Sequence, residues 1–253
     1  VPAKNVAAFI AYAKANPGKL NFGSAGIGNT AHQAGELFKL RTGADLTHIH
    51  FLLDRSGSMG SIRSDIEEGF GAFIHEQRSR TAGECRVTLA RFDDRYEEVY
   101  TDLPLDRVPP LALEPRGMTA LLDSMGRLIT DAGARLAALP ESARPGTVIV
   151  AVMTDGMENA SQEWTHPAIR ALVEGQTRKY GWQFLYMGAD QDAVEVGAGI
   201  GIPRDYAVTF SRGKARQAMA AAAGRIGDYR DERLVCSAAP MVPFSDEERD
   251  ELV

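Results

Sequence analysis

Residues 148–153 form an uninterrupted apolar run, Val-Ile-Val-Ala-Val-Met, that is followed by a threonine and an aspartate. A run of this length, rich in β-branched residues, predicts a strand buried on both faces, as in the centre of a parallel sheet. Two more strand-like segments, 46–54 and 182–187, lie among segments whose apolar residues recur at helical spacing. Strands that alternate with helices predict an α/β fold with a doubly wound, mostly parallel central sheet and helices on both faces.

The rest of the chain extends this pattern. Two β-rich runs separated by Asp93-Asp94-Arg95 predict a hairpin, and residues 1–47 predict a helix–strand–helix extension. Ser245, with a glutamate three residues later, is typical of a capped helix start in a polar tail, 231–253. The main domain is then expected at 48–230. The remaining predicted elements are helices 61–80, 117–139, 167–180, 190–198 and 212–226, and strands 86–92, 96–100 and 207–210.

Composition narrows the function classes. The 28 Lys and Arg against 34 Asp and Glu give a net charge of −6, which disfavours a general nucleic-acid binder. No apolar run approaches the roughly 20 residues that cross a bilayer, and we expect neither a membrane span nor a secretory signal. Two distant cysteines make neither a disulfide framework nor a zinc site. A cytoplasmic location is therefore expected.

Hard oxygen side chains follow two predicted strands and open a predicted helix. The carboxyl ends of parallel strands share one edge of a sheet, so we expect these side chains to converge there. Alternate residues of an extended segment point the same way, and Gly57 and Gly60 let the chain turn after Asp54. Two carboxylates and three hydroxyls suit Mg²⁺ or Mn²⁺. The predicted metal ligands are Asp54, Ser56, Ser58, Thr119 and Asp155.

Each of these residue types also has an ordinary structural role. Asp, Ser and Thr are the usual helix caps and turn formers, so the Asp-x-Ser-x-Ser triplet alone does not indicate a metal. The three elements together, in this order and each at a strand end, do indicate one. Asp123, one helical turn after Thr119, is predicted to cap or brace the site without binding the ion, and Gly57 to support it.

These motifs resemble the von Willebrand factor type A (vWA) family. Its metal-ion-dependent adhesion site has an Asp-x-Ser-x-Ser triplet, then a Thr, then an Asp, and residues 52–59, 116–123 and 152–159 match these elements. The resemblance covers residues 48–210. In its detailed pattern, this segment is similar to stand-alone bacterial vWA proteins. It implies a doubly wound sheet with one antiparallel edge strand and Mg²⁺ at its top.

The vWA resemblance also implies roles for the predicted ligands. Asp54, Ser56 and Ser58 would bind the ion, and Thr119 and Asp155 would bind it directly or through water. An Asp or Glu of a protein partner would complete the coordination shell. The implied function is Mg²⁺-dependent binding of a partner protein, not catalysis.

The first 48 residues resemble a different family. Segments 1–5, 15–26 and 30–38 are similar to the tripartite tricarboxylate transporter solute-binding proteins, or Bug receptors, which are periplasmic, two-lobed and bind small carboxylates. The resemblance implies a glycine-rich turn that binds a carboxylate through backbone N–H groups and hydroxyls. Only one strand–helix piece of that family is present, so we expect a fusion. The candidate ligands are Ser24, Gly26, Asn29 and Thr30.

Two alternative functions stay open at this point. One is a small-carboxylate receptor remnant carried by the N-terminal segment, which would be periplasmic if that segment comes from an exported receptor. The other is a Mg²⁺-dependent phosphatase-like hydrolase, since Asp54-x-Ser56 resembles haloacid dehalogenase phosphatases. In that family the second position holds an Asp general acid, whereas this chain has Ser56.

Overall fold

The structure is a computed structural model that describes residues 3–15, 30–31, 33–35, 46–80, 83–140, 143–235 and 239–253. The strands of this part of the chain are β1 Thr47–Asp54, β2 Cys85–Phe92, β3 Tyr96–Pro104, β4 Thr147–Thr154, β5 Gln183–Ala189 and β6 Ala207–Phe210. They form one six-stranded sheet in the order β3-β2-β1-β4-β5-β6. All neighbouring pairs are parallel except β2 and β3, so the predicted sheet with one antiparallel edge strand is confirmed.

Helices cover both faces of the sheet. The described helices are α1 Val6–Ala15, α2 Arg63–Ser79, α3 Leu121–Ala138, α4 His166–Tyr180, α5 Ala193–Gly199, α6 Ala215–Val235 and α7 Asp246–Leu252. A short 3-10 helix, Gly57–Ile62, leads into α2. No helix of the described residues is both long and apolar enough to span a bilayer.

The central strands β1 and β4 are buried along their whole length, as the apolar run at 148–153 predicts. Side chains of β1 alternate between the two faces. Phe51 packs edge-on against Phe70 and Phe73 of α2, with ring centroids 5.4 and 5.5 Å apart, whereas Leu52 joins the core under α3 and α4. The chain therefore builds one core on each face, which fixes the register of β1.

The strand order reverses at the centre of the sheet. From β1 the chain adds β2 and β3 on one side, then returns to add β4, β5 and β6 on the other. The crevice between the carboxyl ends of β1 and β4 is the usual place for a ligand in a doubly wound sheet. The residues that follow Leu53 and Met153, which pair across these strands, consequently lie at one edge.

The C-terminal part differs from the expected polar tail. Helix α6 ends at Val235, nine residues past the predicted end at 226, and the expected domain limit at 230 falls within it. Polar residues there are buried by pairing: Arg230, 3% exposed, donates hydrogen bonds to the carbonyl and side chain of Gln77. The capped final helix is confirmed at α7, where Ser245 and Glu248 form a capping box.

The N-terminal extension is described in part. Its first predicted helix is confirmed as α1. The predicted strand at 20–22 and residues 23–29 of the glycine-rich turn predicted at 23–30 lie outside the described residues.

Candidate metal centre

The end of β1 carries the first group of predicted ligands. Asp54 is the last residue of the strand, and its Oδ1 accepts a hydrogen bond of 2.6 Å from the backbone N–H of Ser56. This contact turns the chain sharply, because a side-chain oxygen takes the place of a backbone acceptor. The hydroxyls of Ser56 and Ser58 then lie 3.1 Å apart. Asp54 and Ser56 are buried, and Ser58 is exposed.

The end of β4 lies against this turn. The Ser58 hydroxyl donates a 2.6 Å hydrogen bond to Oδ1 of Asp155, which directly follows β4. In return, the hydroxyl of Thr154 donates a 2.5 Å hydrogen bond to Oδ2 of Asp54. Two strand ends that are 100 residues apart in sequence are thus joined side chain to side chain. Each carboxylate thus accepts a hydrogen bond from a hydroxyl group at the end of the other strand.

Thr119 reaches the same place from the loop before α3. A Cβ atom on Gly156 would lie 2.8 Å from the Thr119 hydroxyl oxygen and 3.7 Å from Oδ2 of Asp54. The absence of a side chain at Gly156 therefore lets the Thr119 hydroxyl lie close to the backbone that follows β4, with Asp54 Oδ2 nearby. The structure brings all five predicted side chains to this one edge of the sheet.

Backbone hydrogen bonds fix the Thr119 loop. Thr119 donates its N–H to Oδ1 of Asn159, and Asn159 returns its own N–H to the Thr119 carbonyl. The N–H of Gly57 bonds to the carbonyl of Gly117, and that of Ala120 to the carbonyl of Asp93. Two of these tertiary contacts engage the carbonyls of Gly117 and Thr119, which a helix starting at 117 would need as acceptors for its own N–H groups. Helix α3 accordingly begins at Leu121.

A buried ion pair connects the loop after β1 with the loop between β2 and β3. Arg55 is 2% exposed, and its Nε lies 2.9 Å from Oδ2 of Asp93, which also accepts a hydrogen bond from Arg116. Burial opposes the charge of Asp93, but Arg116, the backbone of Arg95 and the nearby Arg55 lower its pKa. Arg55 is the variable position of the triplet and Asp93 a predicted turn former. Sequence reasoning therefore missed this pair.

Asp123 braces a neighbouring loop. Its carboxylate accepts N–H hydrogen bonds from Gln162, Glu163 and Trp164, all between 2.8 and 2.9 Å. Glu158 does the same for the start of that loop and for Leu122 of α3. The segment after Asp155 is thereby tied to α3. Asp123 thus holds this loop, and its role in bracing a metal site stays a prediction.

Both carboxylates are held in an environment that disfavours their charge. Burial raises the pKa of Asp54 to about 6, and nearby Asp155 adds to this, although hydrogen bonds from Thr154 and Ser56 oppose it. Burial also raises the pKa of Asp155, against the lowering effects of Ser58 and Arg212. Oδ2 of Asp155 is buried and has no hydrogen-bond partner. A bound cation would relieve both effects.

The residues present fit a hard divalent cation. The donors are all oxygens, one buried carboxylate oxygen lacks a hydrogen bond, and Gly156 lets the Thr119 hydroxyl approach more closely than a Cβ would allow. Within the described ranges, no three His, Cys, Asp or Glu side chains cluster as a metal site. The candidate is therefore a mixed set of two carboxylates and three hydroxyls. Such a set is typical of Mg²⁺ or Mn²⁺ and not of zinc.

The N-terminal candidate ligands cannot be placed together. Ser24, Gly26 and Asn29 lie outside the described residues. Thr30 is described, and it is an exposed residue of a helical segment.

Solved structures with the same architecture identify the fold class. The vWF domain of the type V pili tip protein Mfa5 from Porphyromonas gingivalis matches 78% of this chain and 98% of that domain, with a TM-score of 0.51 and 12% identity. The pilus adhesin SpaC of Lactobacillus rhamnosus GG matches 72% of this chain and 30% of its own length, with a TM-score of 0.52 and 14% identity. At these identities the likeness shows the fold, which is of the vWA type.

Sequence comparison finds relatives of the N-terminal part of the chain. Residues 1–64 match the model of the tripartite tricarboxylate transporter family receptors. A UPF0065 protein of Bordetella pertussis is 34% identical over 94 residues, which are 37% of this chain and 29% of that protein. A second UPF0065 protein, from the gbd 5′ region of Cupriavidus necator, is 44% identical over 50 residues, 15% of its length. The chain thus spans under a third of either relative.

The receptor match is longer than the resemblance at 1–48. It continues to residue 64, through β1 and the Asp-x-Ser-x-Ser triplet at 54–58. The two likenesses therefore overlap in the first metal motif.

Proposed function

We propose that this chain is a Mg²⁺-dependent protein-binding module of the vWA type, which recognises an acidic side chain of its partner. One observation carries the proposal: two buried carboxylates and three hydroxyls from three separate loops converge beside Gly156, where one carboxylate oxygen has no hydrogen bond. A bound divalent cation would give these oxygens a common ligand and would balance the charge of the two carboxylates.

The chain's own residues define what the ion would meet. Asp54, Ser56, Ser58, Thr119 and Asp155 would hold it. The two carboxylates balance its charge, and the hydroxyls add donors without adding charge. When bound, the ion supplies a positive centre that attracts a further carboxylate. The loops fixed by Asn159 and by the Arg55–Asp93 pair keep the donors in place before the ion arrives, which lowers the entropic cost of binding.

The surface beside the site suits a protein partner. Met118 and Met157, the neighbours of Thr119 and Asp155 on their loops, are 56% and 73% exposed. Methionine adapts its shape to different apolar surfaces and is common where proteins bind each other. Of the structures with this fold, Mfa5 is a pili tip protein and SpaC a pilus adhesin. We extend a protein-binding role to this chain on these grounds.

Isothermal titration with Mg²⁺ tests the proposal. The wild-type protein should bind one ion, and Asp54→Ala should remove this binding while the circular dichroism spectrum is retained, because the residue lies at the rim of the sheet. Asp131→Ala, in the third turn of α3, is the matched control, since it removes an aspartate far along the helix from the site. Unchanged Mg²⁺ binding in Asp54→Ala would refute the proposal.

An immobilised peptide array tests the acidic partner. Peptides with one central Asp or Glu should bind only with Mg²⁺, and the same peptides with Asn or Gln should not. Equal binding of both sets, or binding in EDTA, would contradict charge recognition by a metal. A phosphomonoester substrate in the same buffer serves to detect hydrolysis, which this proposal does not predict.

The match of residues 1–64 to receptor proteins favours a second candidate, small-carboxylate binding by the N-terminal segment. The supporting match covers under a third of either relative, so one lobe at most is represented. Citrate or glutarate should then raise the melting temperature in EDTA, with no requirement for a metal. Asn29→Ala should abolish that shift and leave Mg²⁺ binding intact. An unchanged melting temperature with both acids would exclude this candidate.

A further inference from the structure

Arg212 brings a permanent positive charge to the candidate metal centre. It follows β6, whose carboxyl end lies at the same edge of the sheet as those of β1, β4 and β5. Its Nη2 lies 3.4 Å from Oδ2 of Asp155, and its Nε lies 2.9 Å from a carboxylate oxygen of Asp190, which follows β5. Its Nη1 also donates to the Ser61 hydroxyl at 3.3 Å. One guanidinium thus contacts the residues that directly follow β4 and β5 and the 3-10 helix that follows β1.

The Asp155 oxygen beside Arg212 is the one without a hydrogen bond. Oδ1 of Asp155 accepts from Ser58, whereas Oδ2 is buried and has no such donor, and the guanidinium stands at ion-pair distance from it. A metal and Arg212 would therefore depend on the same carboxylate. Asp190 offers the guanidinium a second carboxylate on its outer side.

The backbone of Arg212 is anchored, so the side chain has to respond. Ser211 donates its N–H to the Leu252 carbonyl at 2.8 Å and its hydroxyl to the Val253 carbonyl at 2.6 Å. Asp190 donates its N–H to the carbonyl of Phe210. The side chain of Arg212 is 41% exposed and can swing towards solvent. A change of charge at Asp155 would thus move the guanidinium and not the loop.

We propose that Arg212 is an internal counter-cation of the metal centre, which competes with Mg²⁺ for Asp155 and so lowers the affinity of the site. This inference rests on the proposed function. Charges of +1 and +2 about 6 Å apart repel each other enough to change an equilibrium about tenfold, even at the dielectric constant of water. The repulsion thus weakens Mg²⁺ binding and favours release of the ion. Arg212 is a positioning residue for Asp155 and a determinant of metal affinity.

Titration of Mg²⁺ into matched variants at constant ionic strength tests this inference. Arg212→Gln should bind Mg²⁺ about tenfold more tightly than the wild type. Arg212→Lys, which keeps the charge, should stay closer to the wild type than Arg212→Gln does. Arg216→Gln is the control for net charge, because Arg216 pairs with Asp65 and Glu68 of α2 and not with the site. Its affinity should be unchanged.

The sign of the effect separates competition from a purely structural role. If Arg212 only held the loop in shape, Arg212→Gln would bind Mg²⁺ more weakly. An affinity that is equal to or lower than that of the wild type overturns the inference, while loss of Mg²⁺ binding in Asp54→Ala leaves the proposed function standing. If neither the wild type nor Arg212→Gln binds Mg²⁺, the proposed function itself fails.

A second variant covers the case in which Arg212→Gln does not fold. Asp190 has a positive φ of 49°, which asparagine tolerates well, so Asp190→Asn preserves the backbone. Without the charge of Asp190, the guanidinium of Arg212 pairs with Asp155 only. Mg²⁺ affinity should then fall severalfold, because Arg212 competes more strongly for Asp155. Unchanged or tighter binding in Asp190→Asn would contradict the competition.

Discussion

Asp54→Asn should stabilise the metal-free protein, although it destroys the candidate metal centre. Burial raises the pKa of Asp54 from 3.8 to about 6 in the folded chain. Because the folded pKa exceeds the unfolded one, the ionised carboxylate costs stability above pH 6, and this cost disappears once the group is protonated below pH 4. The difference corresponds to about 3 kcal/mol at pH 7. Asparagine carries no charge and avoids this cost.

The amide recovers most of the existing contacts. Asp54 accepts hydrogen bonds from the Ser56 N–H and the Thr154 hydroxyl, and asparagine has only one acceptor oxygen. The Thr154 hydroxyl lies 3.2 Å from the Gly156 carbonyl, so it can donate there and accept from the amide. The weaker geometry of the rearranged Thr154 hydrogen bond costs about 1 kcal/mol. The expected net gain in the free energy of unfolding is therefore about 2 kcal/mol at pH 7.

Urea unfolding in EDTA at pH 7.5 and pH 4 measures this effect. Asp54→Asn should be more stable than the wild type at pH 7.5, and the advantage should vanish at pH 4, where Asp54 of the wild type is protonated. With Mg²⁺ at pH 7.5 the wild type should gain stability and the variant should not. Two results would refute the reasoning. One is an Asp54→Asn variant that is less stable than the wild type at pH 7.5 without metal, and the other is a stability difference that is the same at both pH values.

Two further predictions concern a glycine and a buried histidine. Gly156→Ala should weaken Mg²⁺ binding at least tenfold in calorimetry, because its Cβ would lie 2.8 Å from the Thr119 hydroxyl oxygen; unchanged affinity would show that this space is not used. Burial lowers the pKa of His48 to about 4, against the attraction of Asp102, so stability is lost as pH falls from 6.5 towards 4. The loss between pH 7 and pH 5 should be smaller by about 2 kcal/mol in His48→Gln in urea titrations, and an equal loss in both proteins would contradict this.

The sequence predicted the sheet because its signals are local. The apolar run at 148–153 and the segment at 46–54 are long enough to define buried strands, and the confirmed strand positions follow from them. The sequence pattern predicts an end of α6 at 226, too early, because the residues that follow are polar. Their partners, such as Gln77 for Arg230, lie 153 residues away, and periodicity does not reveal pairing over that distance.

The oxygen donors of the candidate metal centre could be predicted from the sequence, but the charged residues that contact them could not. Four of the five oxygen donors lie at or just after the ends of β1 and β4, and Thr119 lies just before α3, which are positions that sequence pattern identifies. Arg55, Asp93 and Arg212 belong to the centre only through the strand order, which places their loops together. Each has an equally good surface or turn role in the sequence. Only the folded sheet distinguishes these roles.

Anomalous diffraction from crystals grown with Mn²⁺ tests the central claim most directly. The account predicts the strongest anomalous peak beside Gly156, within about 2.5 Å of oxygens from Asp54 and the serines that follow it. It also predicts that this peak is absent in Asp54→Ala crystals. A Mn²⁺ ion bound elsewhere, with none between β1 and β4, would contradict the account.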